Sequence, residues 1–301
     1  MRKKLGQRIL EIGPRWHKRK EGTPTMGGIC FLVPILVIGA LAILFLSPEL
    51  MKSEIIGGAL TLLFALANAL IGMVDDLTKF KKHQNQGLTP RQKLVLQTTV
   101  AAAYLALLAL HTELSTSLTI PFTDLCITLG GFFYPFALLL LVGVVNCANL
   151  TDGLDGLATS IAAIIAGFFA LLATVFLSES VLLISGAVLG GMLGFLIFNY
   201  HPARVFMGDT GSLFLGAILA GMAMILGDVG LIVFSGMIYL LEGVSVILQV
   251  LYFKLTHGKR LFLMAPLHHH FEKCGWSEIK VVTAFSIFSF FSCLVAFFAY
   301  L

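Results

Sequence analysis

Four groups of residues break long apolar runs with side chains that handle charge. Asp75 and Asp76 stand together at the end of one run. Asn149, Asp152, Gly153, Leu154 and Asp155 lie in an acidic, glycine-rich knot, residues 149–156, between two others. Asp209 belongs to a short polar segment, residues 199–212, that also holds Asn199 and Phe206, and His268, His269 and His270 follow Pro266. Adjacent carboxylates at an apolar boundary are costly unless a cation offsets them, and a divalent metal does so better than scattered lysines. Hard oxygen donors favour Mg²⁺, or Mn²⁺, over zinc. Successive side chains on a helix diverge by about 100°, so the three imidazoles cannot share one ion; they suit hydrogen bonding to phosphate. Together these residue types favour phosphoryl transfer, where catalysis is mainly positioning and charge neutralisation.

The knot admits two interpretations. As an ordinary helix start it would use Asn149 as N-cap and Asp152 at the third position, where the helix dipole favours acids. That accounts for one acid and one Asn, but not for a second acid with two glycines, each of which weakens a first turn by about 1 kcal/mol relative to alanine. As a binding site in the first turn of the following helix, Asp152 and Asp155 would share a face, with the backbone at Gly153 and Gly156 open to a ligand bearing hydroxyl or amide donors. Asp209, taken alone, suits either a dipole partner or a metal ligand, with Thr210 capping the helix that follows. Glu242, Ser245 and Gln249 form a polar stripe expected to pack helix against helix. Most of the basic N-terminal segment fits contact with anionic lipid; Lys20 and Thr23, in the Thr-Pro-Thr turn, remain site candidates.

The elements that must position these groups are membrane helices. The 301-residue chain is 58% hydrophobic and 12% charged, against about 25% charged in a soluble domain. Apolar runs near the length needed to cross a bilayer occur at about 27–46, 55–74, 94–111, 126–146, 157–177, 181–198, 211–227, 230–252 and 280–300. The fold expected is an all-α polytopic membrane protein of nine transmembrane helices, one domain over 1–301 with a basic cytoplasmic segment at 1–26. Nineteen of the twenty Lys and Arg fall on alternate connections, and only Lys52 on the other side, among Glu49, Glu54, Glu113, Asp124, Glu179 and Asp228. The positive-inside rule then puts the N-terminus and all four polar groups on the cytoplasmic face, and the C-terminus outside. The net charge of +4 is therefore topological, and no basic stripe interleaved with aromatics marks nucleic acid as a partner. The five cysteines form no metal or disulfide spacing, and the basic start lacks the apolar segment of a cleavable signal.

Five stretches resemble a known family: residues 22–28 (GTPTMGG), Asp75-Asp76, 149–158 (NLTDGLDGLA), 206–213 (FMGDTGSL) and 265–272 (APLHHHFE). In order and in detail the chain is similar to the polyprenyl-phosphate N-acetylhexosamine-1-phosphate transferase superfamily, and closest to its phospho-N-acetylmuramoyl-pentapeptide transferase branch. The resemblance implies transfer of phospho-MurNAc-pentapeptide from UDP to undecaprenyl phosphate, giving lipid I and UMP, with Mg²⁺, in the bacterial plasma membrane. It implies that Asp209 is a Mg²⁺ ligand with Asp75 and Asp76 beside it, and that Asp75 is the base. Asp152, Gly153, Leu154, Asp155, Asn199 and Phe206 are implied as the uridine and nucleotide pocket. Lys20, Lys93, His268 and His269 are implied to handle phosphates, and the assembly to be a homodimer. Family members usually carry one more span before the basic segment.

Phosphate chemistry qualifies the base. A phosphate monoester has a second pKa near 6, so the acceptor is mostly dianionic near neutrality, and Asp75 is expected to position the nucleophile in one direct displacement. The alternatives carried forward are a GlcNAc-1-phosphate transferase, an intramembrane aspartyl protease built on Asp75 and Asp209, and a transporter.

Overall fold

The computed structural model describes residues 20, 22–46, 52–82, 87–120, 122–123 and 125–300. Residues 1–19 of the basic segment, and the external acids Glu49 and Asp124, lie outside them. In chain order the elements are α1 (Gly28–Leu46), α2 (Lys52–Lys82), α3 (Pro90–His111), a hairpin of β1 (Ser117–Thr119) and β2 (Cys126–Thr128), α4 (Phe133–Thr151), α5 (Leu157–Val175) and α6 (Glu179–Asn199). Then come α7 (Gly208–Ile225), α8 (Gly230–Ser235), α9 (Met237–Leu255), α10 (Leu267–Lys273) and α11 (Glu278–Tyr300). Among the described residues, nine helices are long and apolar enough to cross a membrane, as the hydropathy pattern requires.

The core is α7. Every residue from Thr210 to Met224 is buried, whereas α1, α9 and α11 leave rows of large apolar side chains uncovered. In lipid the close approach of helices comes from small residues rather than from expelled water, and α7 supplies Gly211, Gly216 and Gly221. A step of five residues turns a helix by about 140°, so the three glycines face three different neighbours. A Cβ at Gly211 would meet Gly28 of α1, one at Gly216 would meet Val145 and Ala148 of α4, and one at Gly221 would meet Thr61 of α2. The interface between α2 and α7 is the most extensive in the bundle. It is cross-tied where Thr61 and the Tyr104 hydroxyl lie 2.7 Å apart and Tyr104 reaches the Gly221 carbonyl at 3.3 Å.

Three boundaries differ from the hydropathy reading. The fourth helix does not begin at residue 126: residues 126–128 are β2, paired with β1, and Thr119 N–H is held by buried Asp228 at 2.9 Å. The eighth run is not one helix but α8 and α9, which meet at Gly236; an unbroken apolar run carries no sign of such a joint. Lastly, α2 continues to Lys82, about 46 Å of helix at 1.5 Å per residue. Asp75 and Asp76 therefore do not end a helix against its dipole. They lie within its final third, where Lys79, one turn on, pairs with Asp75 at 2.6 Å. The turn into α3 follows its sequence closely: Thr89 and Gln92 form a reciprocal capping box with Pro90 at the first helical position.

Candidate functional site

All four polar groups gather at one end of the bundle, at the C-terminal ends of α2, α4 and α6 and the N-terminal ends of α3, α5, α7 and α11. The knot is neither of the two helix-start geometries. Asn149 lies in the last turn of α4, which ends at Thr151, residues 152–156 are a loop, and α5 starts after Gly156, whose φ of 78° is the left-handed region that glycine favours. Asp152 and Asp155 consequently point to different places. Thr210 is not a cap either. Helix α7 starts at Gly208, and both the amide and the hydroxyl of Thr210 donate to Asp76 Oδ2, at 2.9 and 2.7 Å.

The first cluster is carboxylate and ammonium. Oxygens of Asp75, Asp76 and Asp209 lie within 4.8 Å of one another. Lys93 of α3 reaches Asp209 at 2.8 Å, Lys79 reaches it at 3.2 Å, and Asn149 donates to it at 3.1 Å and to Ser212 at 2.8 Å. Asp75 also accepts the Leu88 amide at 2.7 Å, which pins the turn before α3 over the cluster. Two ammonium groups between three carboxylates leave one negative charge and several hard oxygens, a donor set that suits Mg²⁺ or Mn²⁺ better than a softer metal. A protease dyad would share a proton between two acids; here Lys79 stands between Asp75 and Asp209.

The second cluster joins four distant segments. Lys20 Nζ lies 2.7 Å from Asp155 Oδ1 and 2.6 Å from Glu278 Oε2, and His201 Nδ1 lies 3.0 Å from Asp155 Oδ2, which also accepts the Ala203 amide at 3.0 Å. Burial alone would lift Asp155, yet Lys20, the Ala203 amide and His201 hold its carboxyl below the usual range. Nearby, the Thr-Pro-Thr-Met-Gly-Gly turn runs beside the segment before α7: Phe206 N–H donates to Pro24 O at 2.9 Å, Gly27 to Phe206 O at 2.8 Å and Gly28 to Met207 O at 3.0 Å. This explains the glycine pair, since a Cβ at Gly28 would come within 2.8 Å of that Met207 oxygen. Thr23 contributes its amide to the turn, bonded to Lys20 O at 3.2 Å.

Asp152 lies between the clusters, half-exposed in surface but densely surrounded. That crowding first, then the charges of Asp209, Asp76 and Asp155, push its carboxyl well above the usual range against a weaker pull from Lys20. The folded protein thus holds this proton more tightly than the unfolded chain does. The stability it brings is complete below the ordinary value of 3.8 and is lost as pH rises through the raised one. Asp152→Asn removes that loss. The metal-free variant should melt a few degrees above wild type near pH 7, with the gap closing by about pH 4; a gap independent of pH would show that ionisation is not the cause.

The histidines divide. His268 is 1% exposed, its Nδ1 is 3.2 Å from Glu242 Oε2 and its amide donates to Glu242 Oε1 at 3.2 Å. Its Nε2 has no hydrogen-bond partner among the described residues and faces Gly153, where a Cβ would lie 2.8 Å from ring carbon Cε1. His269 pairs with Glu272 at 2.7 Å. His270 turns away from both clusters and accepts the Leu263 amide at 3.2 Å. The stripe on α9 accordingly does more than pack helices: Glu242 anchors α10, and Gln249 Oε1 accepts the amides of Leu261 and Phe262 at 3.1 and 2.8 Å, fixing the preceding loop. Leu154 is buried, and Asn199 accepts the Thr159 hydroxyl on Oδ1 at 2.6 Å and donates from Nδ2 to Val205 O at 2.9 Å, bracing the segment that carries Phe206. Lys79, His201 and Glu278 were not among the site residues expected from the sequence, and Glu242 was expected only to pack helix against helix; for Lys79 the signal was there, since it stands four residues after Asp75.

Residues 58–227 match the family model described as Glycosyl transferase family 4, and residues 20–32 match the Phospho-N-acetylmuramoyl-pentapeptide-transferase signature 1. Relatives named phospho-N-acetylmuramoyl-pentapeptide-transferase include one from Halalkalibacterium halodurans, 46% identical over 286 residues that cover 94% of this chain and 85% of the relative. Another, from Clostridium perfringens, is 42% identical over 98% of this chain and 89% of its own length. A third, from Listeria welshimeri, is 43% identical over 94% and 85%.

Proposed function

The chain belongs to the phospho-N-acetylmuramoyl-pentapeptide-transferase family, and from that premise we propose that it moves phospho-MurNAc-pentapeptide from its UDP donor to undecaprenyl phosphate, releasing UMP and forming lipid I. The setting is the bacterial plasma membrane, with the site on the cytoplasmic face and the protein working as a homodimer. The cytoplasmic assignment is supported by the sequence pattern of lysines and arginines, nineteen of twenty in the same alternate connections that carry the site residues.

One observation carries the chemistry: at one end of a membrane bundle, three carboxylates, two lysines and an acidic loop leave donors and charges arranged for two anionic reactants. In the reaction an oxygen of the acceptor phosphate forms a bond to the β-phosphorus of the donor, and the bond from that phosphorus to the bridging oxygen breaks, with both electrons leaving on UMP. The acceptor is already mostly dianionic near pH 7, so no proton need be taken. Asp75, committed to Lys79 and the Leu88 amide, acts as a fixed anchor rather than a base. Lys79 and Lys93 neutralise charge as it develops on the phosphates. Asp75, Asp76 and Asp209 would hold Mg²⁺, or Mn²⁺, which when bound supplies further charge neutralisation across the phosphates.

The test is UMP release from UDP-MurNAc-pentapeptide with undecaprenyl phosphate, before and after chelation and Mg²⁺ restoration. Turnover should require the lipid phosphate, fall to background on chelation and return with Mg²⁺. Faster turnover with UDP-GlcNAc would refute the donor, and activity that survives chelation would refute the metal.

A further inference from the structure

Glu278 stands outside every motif the family resemblance supplies, yet it is placed where Lys20 is held beside Asp155. It occupies the first turn of α11, where the helix dipole favours an acid. Its Oε2 lies 2.6 Å from Lys20 Nζ, 3.5 Å from the Asp155 amide and 3.6 Å from His201 Nδ1. A lysine on a four-carbon stem has large rotamer freedom, and Asp155 alone would leave Lys20 free to swing about one contact. The second carboxylate, 258 residues away in sequence, closes a cage that, among the described residues, uses two of the three ammonium hydrogens. The Ala203 amide donates to Asp155 Oδ2 and the Asp155 amide to Glu278 Oε2, so each carboxylate of the cage also accepts a backbone hydrogen bond.

We propose that Glu278 is a positioning residue for the nucleoside-diphosphate donor: it presets the Lys20 ammonium, through a carboxylate cage shared with Asp155, before the donor's phosphates arrive. The inference rests on the assignment of the reaction above. A side chain fixed in advance makes its contact without paying to be ordered on binding, so its loss falls on donor affinity and spares the chemical step.

The measurement is steady-state UMP release by purified enzyme in vesicles, with donor and acceptor varied separately. Glu278→Gln should raise KM for the UDP donor about tenfold, in line with loss of one charge-assisted contact, with kcat and the acceptor KM within about twofold. Glu278→Asp, which keeps the charge on a shorter stem, should recover part of that loss. In a Lys20→Met background, Glu278→Gln should add less than about twofold, because its effect runs through the ammonium. An unchanged donor KM, or the same loss with and without Lys20, would overturn the proposal. Should Glu278→Gln fail to accumulate folded, Glu278→Asp in the two backgrounds decides by the same ratio. Absence of UMP release by wild type would instead refute the reaction, and calorimetric binding of UDP to the same variants then tests the cage directly, with the same tenfold weakening expected and equal affinity refuting it.

Discussion

Asp209→Asn should lower UMP release by about 10²–10³-fold or more, the scale seen when one preorganised charge-stabilising group is removed from an active site, while the protein remains folded. Asp209 is the residue on which the first cluster closes: it takes Lys93 at 2.8 Å, Lys79 at 3.2 Å and the Asn149 amide at 3.1 Å. Asparagine has the same shape and still offers an acceptor oxygen, so the helix start and its packing survive. It brings no charge, so two ammonium groups lose their common partner, and the divalent ion proposed for this cluster would lose one of three carboxylates. Both lysine side chains retain access to water, at 27% and 15% exposure, which limits the folding penalty of leaving them unpaired. Thermal unfolding within a few degrees of wild type together with background UMP release is the expected pair of results. More than a tenth of wild-type turnover would show that Asp209 does not organise the reaction.

What could be read in advance, and what could not, follows from the range of each signal. The nine helices and the gathering of the polar groups at one end come from apolar run length and Lys/Arg placement, which are summed over many residues and survive errors at any one. The extension of α2 through Asp75 to Lys82 was missed because hydropathy stops where the bilayer does, while a helix carrying Asp75 and Lys79 one turn apart continues. Asp155 and Glu278 are 123 residues apart and meet only because α5 and α11 pack together; nothing local in residues 276–280 announces that. The polar stripe of α9 was visible as a stripe, but its partners were not: Gln249 holds the loop between α9 and α10, which doubles back onto its own helix, and Glu242 holds α10 itself.

Gly72→Ala should be nearly as damaging as loss of Asp209, by a route that touches no charge. Gly72 lies on the face of α2 pressed against the start of α7, and a Cβ there would meet the Asp209 carbonyl and come within 2.7 Å of the Thr210 amide nitrogen. These are backbone atoms, which cannot rotate aside as a side-chain end would. The same helix also grips these two residues one turn on, since Asp76, four residues after Gly72, accepts the Asp209 amide at 3.2 Å and the Thr210 amide at 2.9 Å, bonds that a Cβ at Gly72 would stretch. Alanine must therefore push the first turn of α7 away from α2 and carry Asp209 with it. Overpacking of this kind costs about 1–3 kcal/mol, offset by the roughly 1 kcal/mol that alanine gains over glycine inside a helix, so the loss of stability is modest. The loss of activity is not, because a shift of about 1 Å in a positioning group costs on the order of 10²-fold. The comparison that isolates the cause is Gly190→Ala in α6, where a Cβ meets nothing within 4 Å; that variant should keep full turnover. Equal activity of the two variants would mean that α7 yields without moving Asp209, and that the close approach of the two helices does not set the geometry of the site.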